Sequence, residues 1–148
     1  MAPDINALAE RHIKFRILAS TLIACGLLAN YYTTYSLNPK DFGDYIHLLS
    51  GGFFAILLIT MLANGLDRFW SDIPGVWRLI GDESTVENRR QAQAFGFWTM
   101  FLAGAAVYAA SLWFGMPGHK AGQLVVTLAL AAAALRFAVL EQSALNGA

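Results

Sequence analysis

Along the chain, apolar positions gather into four long stretches separated by polar connections. The first runs from Ile17 to about Tyr35 without a formal charge. The second covers residues 45–66, interrupted by His47. The third covers 94–116, and the fourth 121–140, with Arg136 near its end. Each is close to the ~20 residues that carry a helix across ~30 Å of hydrocarbon. None alternates apolar and polar residues as a barrel strand would. Backbone groups in lipid must pair within their own segment, so the pattern predicts helices. The expected fold is all-α: a single four-helix transmembrane domain over 1–148, arranged as two antiparallel hairpins.

The connections set the pairing. A short polar turn with Asn38, Pro39, Lys40, Asp41 and Gly43 joins the first two stretches. Pro117, Gly118, His119 and Lys120 join the last two. Short connections make antiparallel neighbours. The middle connection is longer and has its own period. Phe69, Trp70, Ile73, Trp77 and Ile80 recur at helical spacing opposite Asp72 and Arg78, which predicts an amphipathic segment lying flat in the interface over about 69–80. Ser84 and Glu87 form an S-x-x-E capping box, so the third helix is expected to begin there, about two turns before it meets lipid. Asp4 is placed to cap a similar extension of the first helix, with Glu10 and Lys14 as an i,i+4 pair. A shift of 78 positions superposes Gly26 on Gly104, Pro39 on Pro117, Ala55 on Ala133 and Leu57 on Leu135. Such a shift preserves direction across the membrane, as a parallel repeat of the hairpin would.

Composition sharpens the picture. The chain is 57% hydrophobic and only 14% charged, against about 25% charged in soluble domains; a lipid-facing surface accounts for the deficit. Net charge is zero, and no Lys/Arg run offers a footprint for nucleic acid. The one cysteine, Cys25, allows no internal disulfide and excludes a thiol relay built on cysteine pairs. Leu22-Ile23-Ala24-Cys25 has the form of a lipoprotein processing site. The apolar run continues through Leu27 and Leu28, however, so Cys25 is read as a helix residue. Arg11, Lys14, Arg16, Arg68, Arg78, Arg89, Arg90 and Arg136 fall on one side of the expected topology, and Lys40 and Lys120 on the other. The positive-inside rule then puts both termini and the middle connection in the cytoplasm, in a bacterial inner membrane.

Candidate chemistry is sparse. Asp44 and His47, with Tyr45 between them, lie one helical turn apart at the outer start of the second stretch. A carboxylate beside an imidazole can orient a ligand or relay a proton. The plainer reading is that Asp44 caps the helix and His47 meets interfacial water. Haem or a pigment on His47 would lack a second intramembrane histidine, so no cofactor or metal is expected. A buried Arg136 would need Glu141, Asn64 or a carbonyl; the simpler expectation is that Arg136 snorkels to the headgroups. Arg89 and Arg90 are candidates for an anionic group. The small-xxx-small pairs Ala105/Ala109, Ala106/Ala110 and Ala129/Ala133 are surfaces on which helices can approach closely, within the monomer or between subunits.

The segment from Gly81 to Ala92, with Glu87, Asn88, Arg89 and Arg90, leads into Phe95-Gly96-Phe97-Trp98. It resembles the cytoplasmic beginning of a helical hairpin in uncharacterised small bacterial inner-membrane proteins. That resemblance covers roughly the C-terminal half and implies a bacterial membrane protein without an activity. The four-helix glutathione-handling membrane enzymes pair arginines and asparagine with a glutamate on a membrane helix. Here Glu87 precedes Asn88, Arg89 and Arg90, and no acid follows in the third stretch. Small multidrug transporters carry an acid inside their first helix, and residues 17–35 have none.

The leading expectation is a non-enzymatic integral membrane protein, an accessory or scaffold subunit contacting the bilayer, other membrane-protein subunits or a second copy of itself. The alternative is a small oligomeric transporter or proton-coupled carrier using Asp44 and His47, with a polar intramembrane cavity. The third is a membrane enzyme on an anionic, lipid-like substrate, with a cytoplasmic pocket lined by two or more arginines.

Overall fold

A computed structural model describes residues 5–35, 49, 52, 53, 55–60 and 83–147. The described residues are helical but for the turn at 112–117. Three long helices dominate: α1 (Ile5–Tyr35), α2 (Glu83–Ser111) and α3 (Gly118–Gly147). Residues 55–60 are also helical. Each long helix is long and apolar enough to cross a membrane. At 1.5 Å per residue, about 30 residues reach ~45 Å, so each helix exceeds the ~30 Å hydrocarbon layer by several turns. The interfacial segment expected over 69–80, most of the second stretch and the repeat relation that depends on it lie outside the described residues.

The helices outrun the apolar stretches that predict them, for local reasons. In α1 the polar extension is continuous with the apolar part, and Lys14 pairs with Glu10 at 2.5 Å on its exposed face. Ser84 stands one residue inside the start of α2, within the spread of such boundaries. The helix α2 stops at Ser111, five residues short of the expected 116. There the Leu112 N–H donates to Ala109 O and the Trp113 N–H to Ala110 O, tightening the last turn, and Pro117 follows. Pro117 also stands just before α3. Its carbonyl accepts from the Lys120 and Ala121 N–H groups at 3.0 and 3.1 Å; a residue just before a helix loses nothing by lacking an N–H. At its far end α3 runs past 140, which keeps Glu141 on a helix and gives it a fixed direction.

Both α1 and α2 pack on α3. The pairings are antiparallel: Arg16 near the start of α1 and Asn88 near the start of α2 both meet Glu141 near the end of α3. The beginnings of α1 and α2 and the end of α3 therefore share one end of the bundle. The core consists of Ile23, Ala24 and Leu27 of α1, Leu58, Ala92 of α2, and Ala131, Ala133, Ala134 and Phe137 of α3, with Leu130 against them. Alanine dominates because these helices come close. A Cβ added at Gly96 would lie 2.8 Å from Ala133 Cβ and 3.2 Å from Ala129 O, so the α2–α3 contact is possible only with glycine there. Without a water-driven hydrophobic force, close contact of this kind is what holds helices together in lipid.

Candidate functional site

Among the described residues, a buried polar constellation lies where the three helices share an end. Arg16, the last charged residue before the apolar run of α1, is 3% exposed, and Glu141 is 2% exposed. Arg16 Nη2 donates to Glu141 Oε2 at 2.6 Å, and Asn88 Nδ2 donates to Oε1 at 3.1 Å. Each carboxylate oxygen thus receives a donor from a different helix. Ser20, one turn along α1, donates its hydroxyl to the Arg16 carbonyl at 2.7 Å. Thr85 is buried at this end of α2, and Arg89 is half-buried. Burying two full charges is expensive unless they are paired and their remaining lone pairs are used. The Asn88 amide uses one of those lone pairs.

Of the residues singled out from sequence, Glu141 belongs to this constellation, but its arginine is Arg16 of α1. Arg136 is exposed, its guanidinium 5.9 Å from the centre of the Phe95 ring, within cation–π range. Arg90 is exposed, and Arg89 adjoins the Asn88 that meets Glu141. Asp44, Tyr45 and His47 lie outside the described residues, and so does any ligand set built on them. His119 is exposed at the start of α3. Among the described residues no three His, Cys, Asp or Glu side chains group closely enough to hold a metal ion. Arg16 escaped the sequence reading because it stands at the end of a basic flank, where it reads as one more topogenic charge. The available signal was its register. Arg16, Ser20, Ile23, Ala24 and Leu27 follow the i, i+4, i+7, i+8, i+11 spacing of a buried helix face.

Two cavities are lined by the described residues. One, about 350 Å³, runs along the α2–α3 contact and is lined by Gln93, Gly96, Phe97, Met100, Ala129 and Ala133, with Ile59 and Leu130. The other, about 300 Å³, lies toward the opposite end from Glu141, where Asn30, Gln123 and Thr127 meet Leu27, Val126 and Leu130, with Gly52 and Ala55. Among the described residues neither of these two cavities is lined by an arginine. The pairs Ala105/Ala109 and Ala106/Ala110 do not serve the bundle in the way Ala129 and Ala133 do: Ala105, Ala106 and Ala109 are exposed on α2. They share that outer half of α2 with Phe101, Leu102 and Tyr108, all more than half exposed. Trp98 stands edge-on to both Phe97 and Phe101, at 5.9 and 6.1 Å between ring centres.

Comparison with protein-family models, with curated proteins and with solved structures found no match for this chain.

Proposed function

We propose that this chain is a non-enzymatic integral protein of a bacterial inner membrane, an accessory or scaffold subunit that holds a fixed helical surface against another membrane protein. The observation that carries this reading is the closure of the polar cluster. Both oxygens of Glu141 are taken by groups of the chain itself, Arg16 and Asn88. A general acid or base needs an oxygen within reach of a substrate proton, whereas here the carboxylate ties three helices together. The surface so held is α2. It packs on α3 along the Ala92–Gly96 side and turns Phe97, Trp98, Phe101, Leu102 and Tyr108 outward. In lipid such a face is stable alone and is also suited to another helix, because its small residues Ala105 and Ala109 stand among rings.

The test is a photoreactive phenylalanine analogue in place of Phe101 in the full-length chain, irradiated in intact cells. A discrete protein adduct of one mass is expected. The same substitution at Val139, exposed on α3, controls for unspecific capture. Adducts to lipid alone at Phe101, or the same protein adducts at both positions, would remove the scaffold reading.

A further inference from the structure

The cavity around Gln123 is lined by two polar side chains that make no hydrogen bond among the described residues. Hydroxyls on these helices usually return to their own backbone. Ser20 donates to Arg16 O, Thr21 to Ile17 O, Thr34 to Asn30 O, Thr99 to Phe95 O and Ser111 to Tyr108 O. That habit is what a hydroxyl in an apolar medium does when nothing else is offered. Thr127 departs from it. It is 8% exposed, it lines the cavity, and it makes no hydrogen bond among the described residues. Gln123, one turn earlier on the same face of α3, also lines the cavity and makes none. Asn30 faces them from α1. An amide and a hydroxyl left unanswered in an apolar span cost free energy, and the cavity between them is where an answer would sit.

We propose that this cavity is a binding site for an uncharged amphiphile, a molecule with a hydroxyl or ester head and an aliphatic body. Among the described residues its lining contains no ionisable side chain, and beside those residues a charged head would lie in low dielectric without a counter-ion. The amide of Gln123 and the hydroxyl of Thr127 both donate and accept, which suits a head that does either. Leu27, Val126 and Leu130 form the apolar wall along which the body lies. The volume of about 300 Å³ stands at the small end of the ~300–1,000 Å³ typical of small-molecule pockets. It takes a head and a short length of chain. Gly52 and Val126 are exposed at the rim, which gives the rest of a longer chain a way out into lipid. The depth is appropriate: Gln123 is five residues into α3, about 7–8 Å below its start, where the head of a neutral lipid resides. This assignment is independent of the scaffold reading, which concerns the other end of the bundle and the outer face of α2.

The experiment uses the full chain in phosphatidylcholine nanodiscs and a diazirine-bearing octanol as probe. Photo-adducts are mapped by mass spectrometry. Saturable insertion is expected in residues 27–30 and 123–130, at least tenfold reduced by excess octanol but not by octane, and at least tenfold reduced in a Gln123→Leu/Thr127→Val variant. Displacement by dioleoylglycerol as well would identify a membrane lipid as the occupant; displacement by octanol alone would identify a smaller alcohol. Either supports the site. Where the double variant fails to accumulate, Thr127→Val, which keeps the shape of the side chain, carries the comparison. Equal competition by octane, labelling unchanged by either variant, or labelling spread evenly over the exposed apolar residues would overturn it.

Discussion

At the scale of single residues, two ion pairs of this chain have the same chemistry and differ in what they do. Glu10 and Lys14 are more than half exposed, and an i,i+4 pair in water contributes only about 0.3–0.5 kcal/mol. Arg16 and Glu141 have almost no exposure. Removing one partner of a buried pair leaves a charge with nothing to meet and costs about 3–5 kcal/mol, while exchanging both for apolar residues is often neutral. Glu141→Leu is therefore expected to lower the thermal midpoint in detergent sharply, and Arg16→Met/Glu141→Leu to recover most of the loss. A Glu141→Leu protein that melts with the unaltered one would mean that water reaches Arg16. In the sequence, Glu141 is one of three partners for a buried Arg136, five positions away, with snorkelling the simpler reading. On a helix five positions is not a facing interval, and the guanidinium turns instead to Phe95. The partner of Glu141 was illegible because it sits 125 positions distant, and a single sequence carries no mark of such a pairing.

At the scale of elements, the apolar stretches told where three helices lie, but not where they stop. Hydropathy reports the part of a helix in lipid; the remaining turns are set by caps and hydrogen bonds at the ends, as at Pro117. Packing was partly legible. Ala129 and Ala133 could be picked out as a small surface, while the residue that meets them, Gly96, stands between Phe95 and Phe97 with nothing in the sequence to mark it. Its role can be measured. Gly96→Ala is expected to push α2 from α3 and to cost about 1–3 kcal/mol, the usual range for overpacking. Gly104→Ala meets only Val125, at 4.0 Å, and is expected to be neutral. Ala133→Gly, which removes the atom 2.8 Å away, should restore part of the stability lost in Gly96→Ala. Equal melting of the two alanine variants would show that the helices have slack at this crossing.

At the scale of the whole molecule, the antiparallel packing brings Arg11, Lys14, Arg16, Arg89 and Arg90 to one end and leaves Lys120 at the other. From the positive-inside rule we propose that the first end is cytoplasmic. In a Cys25→Ser background, a cysteine at Lys120 is expected to react with a membrane-impermeant maleimide in intact cells, and a cysteine at Asn146 only after lysis. Labelling of position 146 from outside would invert the proposed orientation. The same asymmetry was legible in the charges alone. The three-helix tie and the unanswered amide of Gln123 were not, since each depends on which faces meet.

The pairing of Arg16 with Glu141 also has a consequence in time. A ribosome adding ~5–20 residues per second needs about 6–25 s to span the 125 positions between them. Through that interval Arg16 exists without its counter-ion, and the pair can close only once α3 is made. A chain interrupted before Glu141 therefore holds an arginine that lacks the carboxylate its burial requires.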